Sequence, residues 1–155
     1  MSFVRTVRMR VPAGTAKPGP AIGQALGPLG INMMEFCKKF NEETKDIVQN
    51  IPMPCELTAY TDRSFTFVLS SPQTTWMLKR CAGVEKGGSR AGFEYSGKVG
   101  LKALYEIAKV KNAERHSVLL PLESVCKSVR ATALSMGLEI VDDRESIKQK
   151  GKNDL

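Results

Sequence analysis

The chain of 155 residues has one histidine, His116, and its four cysteines (Cys37, Cys55, Cys81 and Cys126) stand far apart with no CxxC pair. Structural zinc centres draw on clustered Cys and His ligands, so this spacing excludes the usual metal site. Each cysteine lies in an apolar frame, which predicts four reduced, buried thiols. Neither GxxxxGK[ST] nor GxGxxG occurs, and the common phosphate cradles go with them. No Ser/His/Asp order forms around His116, and the carboxylate pairs Glu42-Glu43 and Asp142-Asp143 sit in surface-like contexts. No catalytic residue, cofactor or metal is therefore expected. No apolar run is long enough to cross a bilayer, and no apolar signal peptide opens the chain, so no membrane partner is expected. The start, MSFVRTVRMRV, is basic and passes at once into strand alternation, so a cleaved transit peptide should be very short or already removed.

What is present is concentrated in Pro12 to Asn41, which reads PAGTAKPGPAIGQALGPLGINMMEFCKKFN. Four prolines (Pro12, Pro18, Pro20, Pro28) and five glycines (Gly14, Gly19, Gly23, Gly27, Gly30) precede an amphipathic pattern. Proline fixes φ and restricts the residue before it, so Lys17-Pro18-Gly19-Pro20 should be stiff and extended. Ala21, Ile22, Ala25, Leu26, Leu29 and Ile31 give the segment something to bury, and it reads as a rigid loop presented to a partner. Charge is uneven as well. Lys and Arg outnumber Asp and Glu by 23 to 16, a net +7, and residues 72–142 carry 11 basic against 7 acidic side chains. A basic excess of that kind suits a polyanionic partner such as nucleic acid.

The chain divides near Ser70-Ser71-Pro72. Before it, FVRTVRMRV over Phe3 to Val11 alternates as a strand. Asn32 can cap a helix whose Met33, Phe36, Cys37 and Phe40 recur at helical spacing. Glu56 to Tyr60 and Ser64 to Leu69 flank Thr61-Asp62-Arg63 as a hairpin. After it the pattern is helical. One helix should start at Ser71-Pro72 and end at Gly83. The loop Glu85 to Gly92 is basic and small-residued. A second helix should bury Leu101, Leu104, Tyr105 and Ala108 and present Lys98, Lys102 and Lys109 on its outer side. A third, from about Pro121 to Met136, has the core stripe Leu122, Val125, Cys126, Val129, Ala133 and Met136. Opposite that stripe, Ser124, Ser128, Ala131 and Ser135 make a row of small residues beside Lys127 and Arg130. Such a row lets a bulky partner approach closely, and either another helix or an RNA backbone would fill it. Leu138 to Val141 reads as a short closing strand.

Pro12-Ala13-Gly14, KPGPAIGQALG from Lys17 to Gly27 and NMMEFCKKFN from Asn32 to Asn41 together resemble ribosomal protein eleven of the large subunit, the stalk-base family. YTDRSFTF from Tyr60 to Phe67 resembles the family's hairpin, and ATALSMG from Ala131 to Gly137 its closing helix. The resemblance runs from about Val7 to Asp142. Glu85-Lys86-Gly87, Leu104 to Ala108 and Pro121 to Val125 look closer to mitochondrial members, as does the tail after Asp143.

The resemblance implies an α+β protein. A β-loop-α-β-β domain over residues 1–71 is hinged to a small three-helix RNA-binding domain over 72–142, with a charged tail over 143–155. It implies a structural part of the large ribosomal subunit, monomeric within the ribosome. Its partners would be large-subunit rRNA, neighbouring stalk proteins and translational GTPases such as elongation factor G. The rRNA contacts would come from Lys86, Gly87, Gly88, Ser89 and Arg90 in the loop and from Ser128, Arg130, Thr132, Ser135, Met136 and Gly137 on the last helix. Pro18, Pro20, Ala21, Gln24 and Gly27 would face the factors. Ala21 and Gln24 stand where bacterial members usually carry proline, and Leu134 where the closing motif usually carries arginine. The implied location is the mitochondrial matrix, with the bacterial cytoplasm as the alternative. The rival from another class is a protein–protein adaptor with only nonspecific RNA affinity.

Overall fold

Alternation of apolar and polar side chains builds the first sheet. Phe3–Pro12 forms strand β1, Pro52–Tyr60 strand β2 and Phe65–Leu69 strand β3, in the antiparallel order β1-β2-β3. In the central strand Met53, Cys55, Leu57 and Ala59 are buried and their neighbours are not, the period of two of a sheet with one face covered. The register sets Val7 opposite Leu57 and Leu57 opposite Phe67. At the hairpin, Arg63 takes a left-handed φ of 61° and its N–H donates to the Tyr60 carbonyl. The Ser64 hydroxyl and N–H both donate to Asp62, which lowers that carboxyl's pKa. The computed structural model describes residues 3–114, 117 and 119–142, so His116 and the tail from Asp143 lie outside the described residues.

The Gly/Pro segment is only partly the extended loop expected. Residues 15–19 are irregular, but Pro20–Leu26 forms helix α1, followed by a 3₁₀ turn at Gly27–Leu29. Pro20 opens the helix, where its missing N–H would have no partner anyway. Ile22 and Leu26, one turn apart, bury themselves in the core and compensate for the weak helix formers around them. Helix α2, Met33–Glu43, starts on Asn32, whose side chain accepts from Met34 N–H at 3.0 Å. Its Phe36, Cys37 and Phe40 pack on the sheet, with the Phe36 ring 5.7 Å from Phe67 and 6.1 Å from Phe65 in edge-to-face arrangements. Burial raises the pKa of the Cys37 thiol and pushes that of Cys55 up to about 12. Cys81, in contrast, is exposed and Cys126 half-buried, so only two of the four thiols are packed away as expected.

Polar side chains of α2 tie the irregular stretch down. The Asn41 amide donates to the Ala16 carbonyl at 3.0 Å and accepts from its N–H at 2.9 Å. The buried Thr44 hydroxyl accepts from Gly14 N–H and donates to the Phe40 carbonyl. These bonds satisfy backbone groups that no sheet or helix serves, so a Gly/Pro-rich stretch holds one conformation.

The chain divides into two compact units between Gln73 and Thr74. In the second unit helix α3 runs Thr74–Ala82, α4 Leu101–Asn112 and α5 Leu122–Ser135. The first of these begins at Thr74 rather than at Ser71-Pro72. A two-stranded parallel sheet accompanies the helices: β4, Gly97–Gly100, pairs with β5, Leu138–Val141. The strand β5 agrees with expectation, whereas β4 does not, and it takes Lys98 off the helix. Lys98 sits in β4 and pairs with Glu139 at 2.9 Å, so the expected lysine row of α4 loses its first member. The buried face of α4 is Leu104, Ile107 and Ala108. Tyr105 is exposed instead, with the Lys109 ammonium 5.0 Å over its ring. Leu78, Val99, Val125, Val129, Ala133 and Leu138 complete this unit's core.

Candidate nucleic-acid interface

Helix α3 ends as its glycine dictates. Gly83 is left-handed, at φ 67°, and Val84 N–H reaches back to the Lys79 carbonyl while Gly83 N–H reaches Arg80. The chain then leaves as a loop over Glu85 to Ser96. Its first limb lands on the C-terminus of α5, where Gly88 N–H donates to the Met136 carbonyl at 2.9 Å. Its second limb returns to the same place, with Ser96 N–H donating to the Gly137 carbonyl at 2.8 Å and the Ser96 hydroxyl at 3.2 Å. Both acceptors lie just beyond a helix end, where carbonyls lack helical partners, so the loop acts as the cap of α5.

Glycine makes that contact possible. A Cβ on Gly87 would lie 2.8 Å from the Met136 oxygen. One on Gly137 would meet the Glu94 oxygen at 3.1 Å and the Gly88 Cα at 3.2 Å. Gly137 also needs its φ of 70°, a region side chains rarely enter. Lys86, Gly87, Ser89 and Arg90 are exposed on this loop, and Gly88 is half-buried against the turn.

On α5 the row of small residues is open: Ser124, Ser128, Ala131 and Ser135 are all exposed, as is Arg130. Thr132 and Met136 are half-buried and Gly137 is buried beneath the loop. The Thr132 hydroxyl donates to the Ser128 carbonyl and the Ser135 hydroxyl to the Thr132 carbonyl, at 3.0 and 2.8 Å. With their protons spent on the helix, these oxygens present lone pairs outward. Lys127 is paired to Glu123 at 2.7 Å, while among the described residues Lys86, Arg90 and Arg130 form no ion pair. The structure thus seats the loop that carries the exposed Lys86 and Arg90 on the C-terminal end of α5. The remaining lysines of α4 are not needed for it, and Lys109 pairs with Glu106.

In the first unit Pro18, Pro20, Ala21, Gln24 and Gly27 are all exposed, while Ile22 and Leu26 between them are buried. They form one outward face of α1 and its flanks. Two exposed residues escaped the sequence reading: Phe93 and Tyr95 in the basic loop. Their signal was an aromatic pair at spacing two beside Gly92, in a segment otherwise notable for glycine and charge.

Comparison with known proteins gives this arrangement its class. Residues 70–140 match the family model described as the RNA binding domain of ribosomal protein L11, and residues 7–65 match that of its N-terminal domain. The chain is a non-enzymatic protein of the large ribosomal subunit with an RNA-binding domain, and it belongs to the ribosomal protein L11 family. Among its relatives is the large ribosomal subunit protein uL11m of Schizosaccharomyces pombe, 41% identical over 143 residues that span 91% of this chain and 99% of that protein.

Proposed function

We propose that this protein anchors to folded large-subunit rRNA at the stalk base through its second unit and presents its first unit to the translational GTPases and stalk proteins. The observation that carries the anchor is the clasp of the loop Lys86 to Arg90 on the C-terminus of α5. It sets the loop that carries Lys86 and Arg90 against the helix end that follows Ser135. Small residues let the sugar–phosphate backbone approach, and the outward lone pairs of Ser135 and Thr132 suit ribose 2′-hydroxyl donors. Lys86, Arg90 and Arg130 supply the salt-sensitive attraction. The kinship to uL11m supports a place in the mitochondrial ribosome.

Ser135→Glu tests the anchor. Placing bulk and a negative charge on the exposed row should weaken binding to the folded stalk-base hairpin about tenfold or more, roughly 1.4 kcal/mol. Ser135→Ala should stay within a few-fold of the parent. A titration across salt concentrations reads both, and Ser135→Glu at parental affinity would remove the face from the interface. Equal, weak binding of the parent to folded and scrambled hairpins would favour the adaptor reading instead.

For the first unit, Ser71-Pro72 serves as the joint, and the outward face Pro18, Pro20, Ala21, Gln24 and Gly27 meets the factors. An Ala21→Glu/Gln24→Glu double variant should leave rRNA affinity unchanged. In reconstituted ribosomes it should cut factor-stimulated GTP hydrolysis several-fold, because two unpaired carboxylates would have to lose their water on contact with a factor. Unimpaired hydrolysis would take the factors away from this face.

A further inference from the structure

Phe93 and Tyr95 are 89% and 57% exposed. A single exposed apolar residue needs no explanation, since much of any protein surface is apolar. Two exposed rings on one tied-down loop are a different observation. They stand on either side of Glu94, whose carbonyl oxygen lies where a Cβ on Gly137 would meet it at 3.1 Å. The loop turns just before them, with Phe93 and Glu94 N–H both donating to the Arg90 carbonyl at 3.1 and 3.0 Å. It is secured just after them through Ser96 on Gly137. The rings are therefore carried on backbone whose ordering is already met by the fold, so a ligand has little loop entropy to overcome.

The rings together with Lys86 and Arg90 identify the ligand, although Glu85 and Glu94 balance those two charges within the loop. Lys86 and Arg90 lie on the same loop, both exposed. Rings that follow cations on one loop offer what unpaired bases need: a π-face to stack on, and positive charge nearby for the phosphates. Glu94 lies between the rings, and an acidic peptide would gain no more from the cations than RNA while losing the stack.

We infer that Phe93 and Tyr95 form a stacking platform for unpaired bases of the RNA that the second unit binds. The inference rests on the anchor reading above and names the base contacts that reading lacks, since the serine row and the cations meet only ribose and phosphate.

The test uses the full chain and a labelled transcript of the folded stalk-base hairpin. Phe93→Ala and Tyr95→Ala should each bind about tenfold more weakly, the effect of one lost base–aromatic stack. Their salt dependence should keep the parental slope, because no phosphate contact is removed. Phe93→Trp should restore binding, and Phe93→Leu, apolar but without a π-face, should not. Exposure this high leaves the fold untouched by these changes, and parental melting of each variant checks it. A double Phe93→Ala/Tyr95→Ala variant within twofold of the parent would overturn the inference, as would parental affinity of Phe93→Leu. Intact RNA affinity with lost incorporation into the large subunit would assign the rings to a protein neighbour and overturn it equally. If Ser135→Glu weakens binding while the ring variants do not, the stacking fails alone. If the parent does not prefer the folded hairpin to a scrambled one, the anchor fails and the stacking with it.

Discussion

Gly137→Ala should strongly destabilise the second unit. It combines two separable costs. A non-glycine residue at φ 70° is strained by roughly 1–2 kcal/mol. The added Cβ also meets backbone on two sides, the Glu94 oxygen at 3.1 Å and the Gly88 Cα at 3.2 Å. Backbone cannot rotate away as a flexible side chain would, so overpacking adds about 1–3 kcal/mol. The sum, about 2–5 kcal/mol, should lower the melting temperature of this unit by about 10 °C or more. Gly83→Ala is the internal control. Its φ is 67°, yet nothing lies within 4 Å of its Cβ position, so it should show the conformational cost alone. Because Met136 and Gly137 together hold the two limbs of the loop, RNA affinity should fall with stability in Gly137→Ala and hold in Gly83→Ala. Equal behaviour of the two variants would mean that the clasp contributes nothing.

Phe36→Ala should have the largest effect in the first unit. The side chain is fully buried and its ring meets Phe40, Phe65 and Phe67 with centroids 5.7 to 6.1 Å apart. Removing a ring so placed costs about 3–5 kcal/mol. That is a large share of the 5–15 kcal/mol that holds a typical domain, so this unit should be largely unfolded at physiological temperature. The sheet and helices of the second unit have their own core around Leu78, Val99 and Leu138, and rRNA affinity should stay within about threefold. Amide exchange would read the first unit, and the hairpin titration the second. Loss of RNA binding in Phe36→Ala would show that the anchor needs both units.

The elements that were readable beforehand are those whose signal is local. Leu57 and Ala59 alternate within Glu56 to Tyr60, so the second half of β2 announces itself, while its start at Pro52 does not; Phe36, Cys37 and Phe40 fall on one helix face behind an Asn32 cap, so α2 announces itself too. Helix α1 hid because prolines and glycines dominate Pro18 to Gly27, and only the core that receives Ile22 and Leu26 turns that composition into a helix. Strand β4 hid because Gly97-Lys98-Val99-Gly100 has one apolar residue, and its partner β5 lies far along the chain. Lys98 lies in β4, paired with Glu139 of β5, rather than on a helix; Tyr105 lies on α4 outside the core, beneath the Lys109 ammonium.

The same division runs through the candidate site. Composition and motif alone determined the basic excess of residues 72–142, the small-residue row of α5, the absence of catalytic machinery and the family to which the motifs belong. Those are properties of side chains taken in order. The joining of Gly88 to Gly137, the exposure of Phe93 and Tyr95 beside that joint, and the pairing of Lys98 with Glu139 were decided only by the tertiary structure. They depend on groups far apart in sequence, where hydrogen bonding, ion pairing and close packing act on distance in space and leave no periodic trace in the chain.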